Sequence, residues 1–336
     1  MTWFERLTGI EERDGEYVRS QLTVAGGVLS SKGNQQSYQC GNLAIPSLRE
    51  LRQQVAAIMP TQGTPTTLRE VVGNVQTFHC DPRNEQALFQ VASQFNLLEM
   101  VGPQVTPERG VGCYECDLTQ GPACAIAAGA GTIYRNYFVN IDGQLGQTAQ
   151  RQIDCLADLG LALGNEQQEL WSMQNGYALA SLSGLRSISK RLANCDAQQV
   201  DELRALLRIG LQWQTQVTLP SALERVQLVS QAFCSALPVA YSSHPAGEWE
   251  AFARLVLEAT YEATFAAALH NYQQTGCNKL YLTLIGGGAF GNSIDWIIAA
   301  IHRALQIYEY AGLDVAIVSY SRPRAELRSL IADWSA

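Results

Sequence analysis

The sequence predicts an α/β protein, and the last third of the chain carries most of the evidence. Four segments alternate there: a long amphipathic helix (Glu248–Gln273), a buried strand (Lys279–Ile285), a second helix (Ser293–Tyr310) and a second buried strand (Leu313–Tyr320). A glycine-rich stretch, Gly286–Asn292, joins the first strand to the second helix. Elements of these lengths in this order form a βαβ unit, which implies a parallel sheet with helices packed on it.

Composition narrows the class of protein. The chain has 336 residues, 47% of them hydrophobic, which is enough for a sizeable core. Charged residues make up only 16% and the formal net charge is -8, with no run of lysine or arginine. We therefore expect neither a nucleic-acid backbone nor an anionic membrane as the main partner.

The first twenty residues show neither a basic region nor an apolar region of the kind that forms a signal peptide. No later stretch approaches the ~18 to 20 apolar residues that a membrane span requires. These two features predict a cytoplasmic protein.

Nine cysteines are spread along the chain, mostly in apolar surroundings. Only Cys113 and Cys116 have the spacing of a metal or redox pair, and the four histidines are scattered. A structural zinc site needs four ligands, and only two are close in sequence. We expect reduced core cysteines, no metal site and no cofactor.

The rest of the chain predicts one domain at residues 66–330 with an N-terminal extension, residues 1–65, packed on it. The middle of that domain, about residues 140–245, is interpreted as a central insertion. Short strands are expected within Val18–Leu29, and a helix begins at Pro46-Ser47. A short helix is predicted over Thr66–Val72, followed by two strands, Val75–Cys80 and Ala87–Ala92, that are joined by a turn.

Farther along, the pattern is typical of alternating helices and strands. A short helix can open at Gly121-Pro122. Further helices are expected near 147–163, 184–193 and 197–208, and β-prone stretches at 209–219 and 225–241.

The glycine-rich stretch is the main candidate for a binding site. It consists of Gly286, Gly287, Gly288, Ala289, Phe290, Gly291 and Asn292. Such a loop before a helix exposes backbone N–H groups, and the helix dipole adds attraction for an anion, so a phosphate fits there. The spacing matches neither GxGxxG nor GxxxxGK[ST], which argues against an ordinary dinucleotide or ATPase site.

A purely structural role for the glycines, in a tight turn with close helix packing, is the alternative. Three consecutive glycines followed by phenylalanine favour a ligand. Open α/β sheets also bind ligands at the carboxyl ends of their strands, where this loop lies.

The segment LTLIGGGAFGNSIDWIIAAIHRAL, followed by LDVAIVSY, resembles the last β-loop-α-β unit of macrodomains. Its loop GGGAFGN is most similar to the GCGAFGG loop of poly(ADP-ribose) glycohydrolases. Upstream, Gly73–Phe78 and Ala87–Asn96 resemble the early macrodomain pattern. The resemblance implies a three-layer α/β/α macrodomain-like mixed sheet, with a loop that wraps the diphosphate and distal ribose of ADP-ribose. It also implies that Asn96 contacts the distal ribose, with Gln94 beside it.

The sequence departs from that family at the catalytic motif. The family has a GGG loop followed by Gln-Glu-Glu, whereas this chain has Thr119-Gln120-Gly121-Pro122-Ala123-Cys124 in the corresponding region. Gln120 and Gly121 stay candidates for ligand binding. Glycosidic cleavage needs a positioned carboxyl group. Glu99, Glu115 and Asp117 could supply one, or could simply be solvated.

Arg135 lies among aromatic residues in TIYRNYF. A guanidinium there can pair with phosphate while a neighbouring ring stacks on a base. The alternative is an arginine that ties a loop to the core through an internal carboxylate.

Together, these features predict a protein that binds ADP-ribose or a similar small nucleotide. If it is an enzyme, the resemblance implies hydrolysis of ADP-ribosyl linkages, with Asn96 and Asp117 as the catalytic candidates. Two alternatives stay open: a non-enzymatic nucleotide sensor or scaffold, and an α/β enzyme acting on another phosphorylated metabolite.

Overall fold

The computed structural model describes residues 1–60, 62–222 and 225–335. The helices are α1 Trp3–Thr8, α2 Gly15–Gln21, α3 Leu48–Val55, α4 Val75–Cys80, α5 Gln120–Ala127, α6 Gly129–Tyr137, α7 Ala157–Leu163, α8 Leu182–Ala193, α9 Ala197–Arg204, α10 Ala246–Thr275, α11 Ile294–Ile307 and α12 Ala325–Ser335. The strands are β1 Leu22–Ala25, β2 Val28–Ser31, β3 Ser37–Gln39, β4 Asn42–Ala44, β5 Thr67–Val72, β6 Leu88–Ala92, β7 Asn140–Ile141, β8 Gln144–Leu145, β9 Trp171–Gln174, β10 Tyr177–Ala180, β11 Gly210–Gln216, β12 Leu228–Cys234, β13 Lys279–Leu282 and β14 Asp314–Ser319.

The main sheet has seven strands in the order β4-β11-β12-β6-β13-β14-β5. Strands β12, β6, β13, β14 and β5 run parallel to one another, and β11 is antiparallel to both of its neighbours. The carboxyl ends of five neighbouring strands therefore meet at one edge of the sheet.

Helices cover both faces of this sheet. Consecutive side chains of β6 point in opposite directions: Gln90 donates a hydrogen bond to Thr264 of α10 (2.9 Å), whereas the ring of Phe89 stacks on His79 of α4. Helix α10 thus lies on one face and α4 on the other. The predicted three-layer α/β/α mixed sheet is confirmed.

The C-terminal βαβ unit is confirmed, with β13 parallel to β14 and α11 between them in sequence. Strand β13 ends at Leu282, earlier than expected. The chain leaves the ladder at the next residue, because the N–H of Thr283 donates to the side chain of Gln90 (3.2 Å).

Helix α10 is not amphipathic, contrary to the prediction. Most of its side chains are buried, because the helix packs against the sheet and against α3, α8, α9 and α11. Its Glu262 is 2% exposed and pairs with Arg52 of α3 and Arg303 of α11. A buried carboxylate persists only with such partners.

Two short elements were predicted wrongly. Residues 67–72 form a strand, β5, which pairs along its length with β14, and residues 75–80 form a helix, α4. Asn74 starts that helix by accepting a hydrogen bond from the N–H of Gln76 (2.9 Å). Short apolar runs do not distinguish helix from strand, and here the tertiary pairing decides.

Three other predictions hold only in part. Residues 15–21 form helix α2 instead of a strand, and of the helix expected near 147–163 only α7 is present. Strands β11 and β12 join the main sheet, although they lie within the stretch interpreted as an insertion. The boundaries at residues 65, 140 and 245 stay predictions.

The N-terminal residues build a second apolar cluster. Trp3, Phe4 and Val18 are buried there against Ile133 and Tyr137 of α6. This cluster places α1 beside the edge where the parallel strands end. Within the described ranges, no helix is both long enough and apolar enough to cross a membrane.

Candidate functional site

A cavity of about 640 Å³ opens at the carboxyl ends of β6, β13 and β14. Its wall comes from the loop after β13, the segment after β6, the N-terminal turns of α4 and α5, and Trp3 and Arg6 of α1. The volume is in the range of pockets that hold nucleotides and other small molecules.

The glycine loop forms one wall of this cavity through Gly286, Gly287, Gly288, Ala289 and Phe290. Gly286 has a φ of +74°, a backbone conformation that favours glycine. The Gly286 carbonyl accepts a hydrogen bond from the N–H of the loop's last residue, Asn292, at 2.9 Å. The loop is closed on itself by its own main chain.

Three consecutive N–H groups of the loop are left free for a ligand. Those of Gly288, Ala289 and Phe290 donate to no acceptor in the part of the chain that the structure describes. Gly288 and Ala289 are exposed, and a Cβ on Gly288 would meet nothing within 4 Å. Unpaired main-chain donors beside a helix N-terminus suit an anion such as phosphate.

Asn292 and Gly291 act on the loop and are not part of the cavity wall. Asn292 is buried, and its side chain donates to the carbonyl of Leu237 (2.8 Å). Gly291 has a φ of +70° and donates its N–H to the Gly288 carbonyl (3.0 Å). Both residues therefore fix the loop's shape.

Three aromatic rings form a second part of the wall. Phe290 lies 5.3 Å from Tyr177 and 5.6 Å from Tyr241, measured between ring centroids. The two tyrosines are 5.2 Å apart, and Tyr177 donates to the carbonyl of Met100 (2.7 Å). The cluster offers a flat apolar surface for a sugar or base. No motif marks the two tyrosines, so sequence reasoning missed them.

Gln94, Gln120 and Gly121 line the cavity. The amide of Gln120 is committed to β6, because it accepts from the N–H of Ala92 (2.9 Å) and donates to the carbonyl of Gln90 (2.8 Å). The side-chain oxygen of Gln94, Oε1, accepts a hydrogen bond from the N–H of Met100 (2.8 Å). The side chain of Gln120 thus pairs with main-chain groups of β6.

Asn96 lies behind the cavity wall. It is buried, its amide group donates to Gln152 (2.8 Å), and its carbonyl oxygen accepts from the N–H of Leu98 (3.1 Å). Leu97, between them, has a φ of +65°. Asn96 therefore stabilises the tight turn that leads from β6 to Glu99.

Arg135 is also beneath the surface, with 1% exposure. It donates to the carbonyl of Leu97 (3.2 Å) and to Thr132 (3.0 Å), and its guanidinium lies 3.5 Å from the ring centroid of Phe233. Arg135 therefore ties the turn after β6 to the core, as in the alternative, but through a main-chain carbonyl and a hydroxyl instead of a carboxylate.

Three carboxyl groups stand at the cavity: Glu99, Glu115 and Asp117. Glu115 accepts from the N–H of Trp3 (3.0 Å) and pairs with Arg6 (3.2 Å). Half-buried Asp117 accepts from the N–H of Thr119 (2.8 Å). Glu99 differs, because it is 3% exposed and its Oε1 has no hydrogen-bond partner among the described residues.

Burial raises the pKa of Glu99 well above its usual value. The guanidinium of Arg135 acts in the opposite direction, and the charge of Asp117 raises the pKa further. Arg135 is protonated at neutral pH, since burial lowers its pKa only to about 10. The protonated form of Glu99 is favoured.

This pKa gives a prediction for stability. Below the Glu value of 4.5, Glu99 is protonated in both states. As pH rises above 4.5, the unfolded chain releases this proton while the folded protein keeps it, so the free energy of unfolding falls until the folded pKa is passed. Glu99→Gln removes this dependence. Urea unfolding between pH 4 and 8 should show the variant gaining stability relative to wild type as pH rises, and a constant difference would contradict it.

No metal site is formed in residues 1–60, 62–222 and 225–335, where no three His, Cys, Asp or Glu side chains cluster. Cys113 donates to the carbonyl of Gly110 (3.3 Å), and Cys116 is exposed. All nine cysteines are free thiols.

No model of a known protein family matches the chain, and no curated protein matches it. Among solved structures, poly(ADP-ribose) glycohydrolase from Thermomonospora curvata is 12% identical, with 95% of each chain covered and a TM-score of 0.46. The same enzyme bound to the inhibitor ADP-HPD is 13% identical over 95% of each chain, with a TM-score of 0.45. Poly(ADP-ribose) glycohydrolase from Deinococcus radiodurans in complex with ADP-ribose is 10% identical, covers 86% of this chain and 95% of that chain, and has a TM-score of 0.45.

Proposed function

We propose that this protein binds ADP-ribose or a related nucleotide in the cavity at the ends of β6, β13 and β14. The observation that carries the proposal is the set of free N–H groups on Gly288, Ala289 and Phe290. They lie together on an exposed loop just before α11, where a diphosphate replaces the water that would otherwise solvate them.

The rest of the cavity suits the remaining parts of such a ligand. The rings of Phe290, Tyr177 and Tyr241 provide apolar area for a ribose or a base. Arg324 contributes positive charge to the wall, whereas the charge of Arg6 is paired with Glu115. A nucleotide of two sugars, a base and a diphosphate needs this combination of anion donors and apolar surface.

Hydrolysis of an ADP-ribosyl linkage is the reaction we propose for the site. It requires a carboxyl group in contact with the ligand, and the cavity wall contains three. A non-enzymatic sensor is the competing hypothesis, and it would bind one equivalent of ligand and release it unchanged. Because the nine cysteines are free thiols, we also propose a reducing compartment such as the cytoplasm.

Titration calorimetry with ADP-ribose, ADP and NAD tests binding. We expect Gly288→Glu to weaken ADP-ribose binding by at least about 100-fold, because it places a carboxylate against the phosphates at a cost of several kcal/mol. The fold should survive, since a Cβ at this position meets nothing within 4 Å and the loop is exposed there.

Gly247→Glu is the matched control. Gly247 lies in the first turn of α10, away from the cavity, and a Cβ there also meets nothing within 4 Å. It introduces the same charge and should bind ADP-ribose as wild type does. Equal affinities of wild type and Gly288→Glu would show that the phosphates lie elsewhere.

A further inference from the structure

The buried carboxyl of Glu99 is the group in the cavity wall that the rest of the structure leaves unexplained. Among the described residues its Oε1 has no hydrogen-bond partner, although Glu99 is only 3% exposed. Leaving a buried polar atom unpaired costs about 1–3 kcal/mol. Glu99 contributes to the cavity wall, so a ligand bound there can complete the hydrogen bonding of its carboxyl group.

The turn after β6 holds Glu99 firmly in this place. The N–H of Glu99 donates a hydrogen bond to the buried hydroxyl of Tyr114 (3.0 Å). The next residue, Met100, is fixed by Gln94 and Tyr177. The carboxyl is therefore presented by a rigid main chain, as a group that must meet a reacting atom requires.

The N-terminal turn of α5 packs directly on the other carboxyl oxygen. A Cβ on Gly121 would lie 2.3 Å from Oε2 of Glu99, so the glycine is what lets the helix approach. The N-cap residue, Thr119, makes no side-chain hydrogen bond to this helix. The positive end of α5 thus faces the carboxyl and stabilises its ionised form once the proton has left.

Arg135 also stabilises the ionised form of Glu99. Its NH1 group is buried and lacks a hydrogen-bond partner among the described residues, and its charge acts on Glu99. Before proton transfer the carboxyl is neutral because it is desolvated. After the transfer, Arg135 and α5 lower the energy of the carboxylate.

We infer that Glu99 is the general acid of this site, delivering its proton to the leaving oxygen when an ADP-ribosyl O-glycosidic bond is hydrolysed. This inference rests on the proposed function. The bond from the anomeric carbon to the leaving oxygen breaks, and its electron pair stays on that oxygen, which takes the proton of Glu99. Water then adds to the anomeric carbon and releases a proton, which restores the carboxyl.

The family that this chain resembles carries its acid in a Gln-Glu-Glu motif, whereas the corresponding stretch here, from Thr119 to Cys124, contains no carboxylate. Glu99 instead reaches the cavity from the segment after β6. The structure therefore supplies a carboxyl at the site from a different segment of the chain.

The test compares Glu99→Gln with wild type on two substrates, poly(ADP-ribose) and 4-nitrophenyl ADP-ribose. The first has a sugar hydroxyl as leaving group and needs an acid, whereas 4-nitrophenolate leaves without one. We expect kcat on poly(ADP-ribose) to fall at least about 100-fold, and the loss on the nitrophenyl substrate to be at least about tenfold smaller. The Kd for ADP-ribose should change by less than about threefold.

A merely structural role would lower both activities equally, and this outcome would overturn the inference. So would wild-type turnover in Glu99→Gln, or no turnover of either substrate by wild type. Asp117→Asn compares the other candidate acid, and a selective loss on poly(ADP-ribose) in that variant alone would assign the role to Asp117. Glu166→Gln makes the same substitution at an exposed residue away from the cavity, and its kcat on both substrates should match that of wild type.

The pH profile gives a second readout. Arg135 and Asp117 act electrostatically on Glu99, and the charge of Glu99 in turn raises the pKa of Tyr114, Cys124 and Tyr177. We expect wild-type kcat on poly(ADP-ribose) to fall as pH rises through the folded pKa of Glu99, and this decrease to be absent in Glu99→Gln.

If wild type binds no ADP-ribose, the proposed function fails together with the inference. If it binds ADP-ribose but Glu99→Gln keeps full activity, only the inference fails.

Discussion

Gly286→Ala is expected to abolish binding of ADP-ribose and to lower the free energy of unfolding by about 3 kcal/mol. The residue has a φ of +74°, where a side chain costs about 1–2 kcal/mol. An added Cβ would also lie 2.5 Å from the Cβ of Ala236 and 2.6 Å from Nδ2 of Asn292. Overpacking of this kind typically costs a further 1–3 kcal/mol.

Binding is lost because the same contact closes the loop. Asn292 donates to the Gly286 carbonyl and, through its side chain, to Leu237. Moving Asn292 opens the turn and separates the free N–H groups of Gly288, Ala289 and Phe290. Calorimetry with ADP-ribose measures the affinity, and urea unfolding measures the stability.

Gly288→Ala makes the same chemical change two residues later. Gly288 does not have a positive φ, and a Cβ there meets nothing within 4 Å. We expect its stability to stay within about 0.5 kcal/mol of wild type. If Gly286→Ala and Gly288→Ala behave alike, the loop is flexible and its closed shape does not determine binding.

The glycine loop could be predicted from sequence because strand, loop and helix are contiguous there. Local pattern sufficed for the βαβ unit, whose parallel pairing the structure confirms. The aromatic wall could not be predicted, because Tyr177, Tyr241 and Phe290 meet only after the strands have been ordered into a sheet. No spacing along the chain encodes that proximity.

Burial explains the remaining differences between the site predicted from sequence and the site in the structure. Sequence shows that Arg135 and Asn96 are polar, which suggests a ligand, but it does not show which side of the wall they occupy. In the structure both stabilise the turn after β6 from behind, while Glu99 reaches the cavity. The same difficulty affects residues 67–80, where β5 is a strand because β14 lies beside it.

The glycine at the start of α5 connects the packing of the fold to the proposed chemistry. We expect Gly121→Ala to destabilise the protein by about 3 kcal/mol, even though alanine is intrinsically the better helix former by about 1 kcal/mol. A Cβ on Gly121 would lie 2.0 Å from the carbonyl oxygen of Ala92 and 2.3 Å from Oε2 of Glu99. The first contact is with main chain of β6, so the helix itself must move.

That movement displaces the N-terminal turn of α5 from the carboxyl of Glu99, so turnover of poly(ADP-ribose) should fall more than binding of ADP-ribose. Gly247→Ala, in the first turn of α10, is the matched helical control: its Cβ meets nothing within 4 Å, and the substitution should stabilise the protein by about 0.5 kcal/mol. Urea unfolding of the two variants should therefore shift in opposite directions. A shift of both variants toward higher stability would contradict the close packing of α5 on β6 and Glu99. The N-terminus of α5 could then not be what stabilises the ionised form of Glu99.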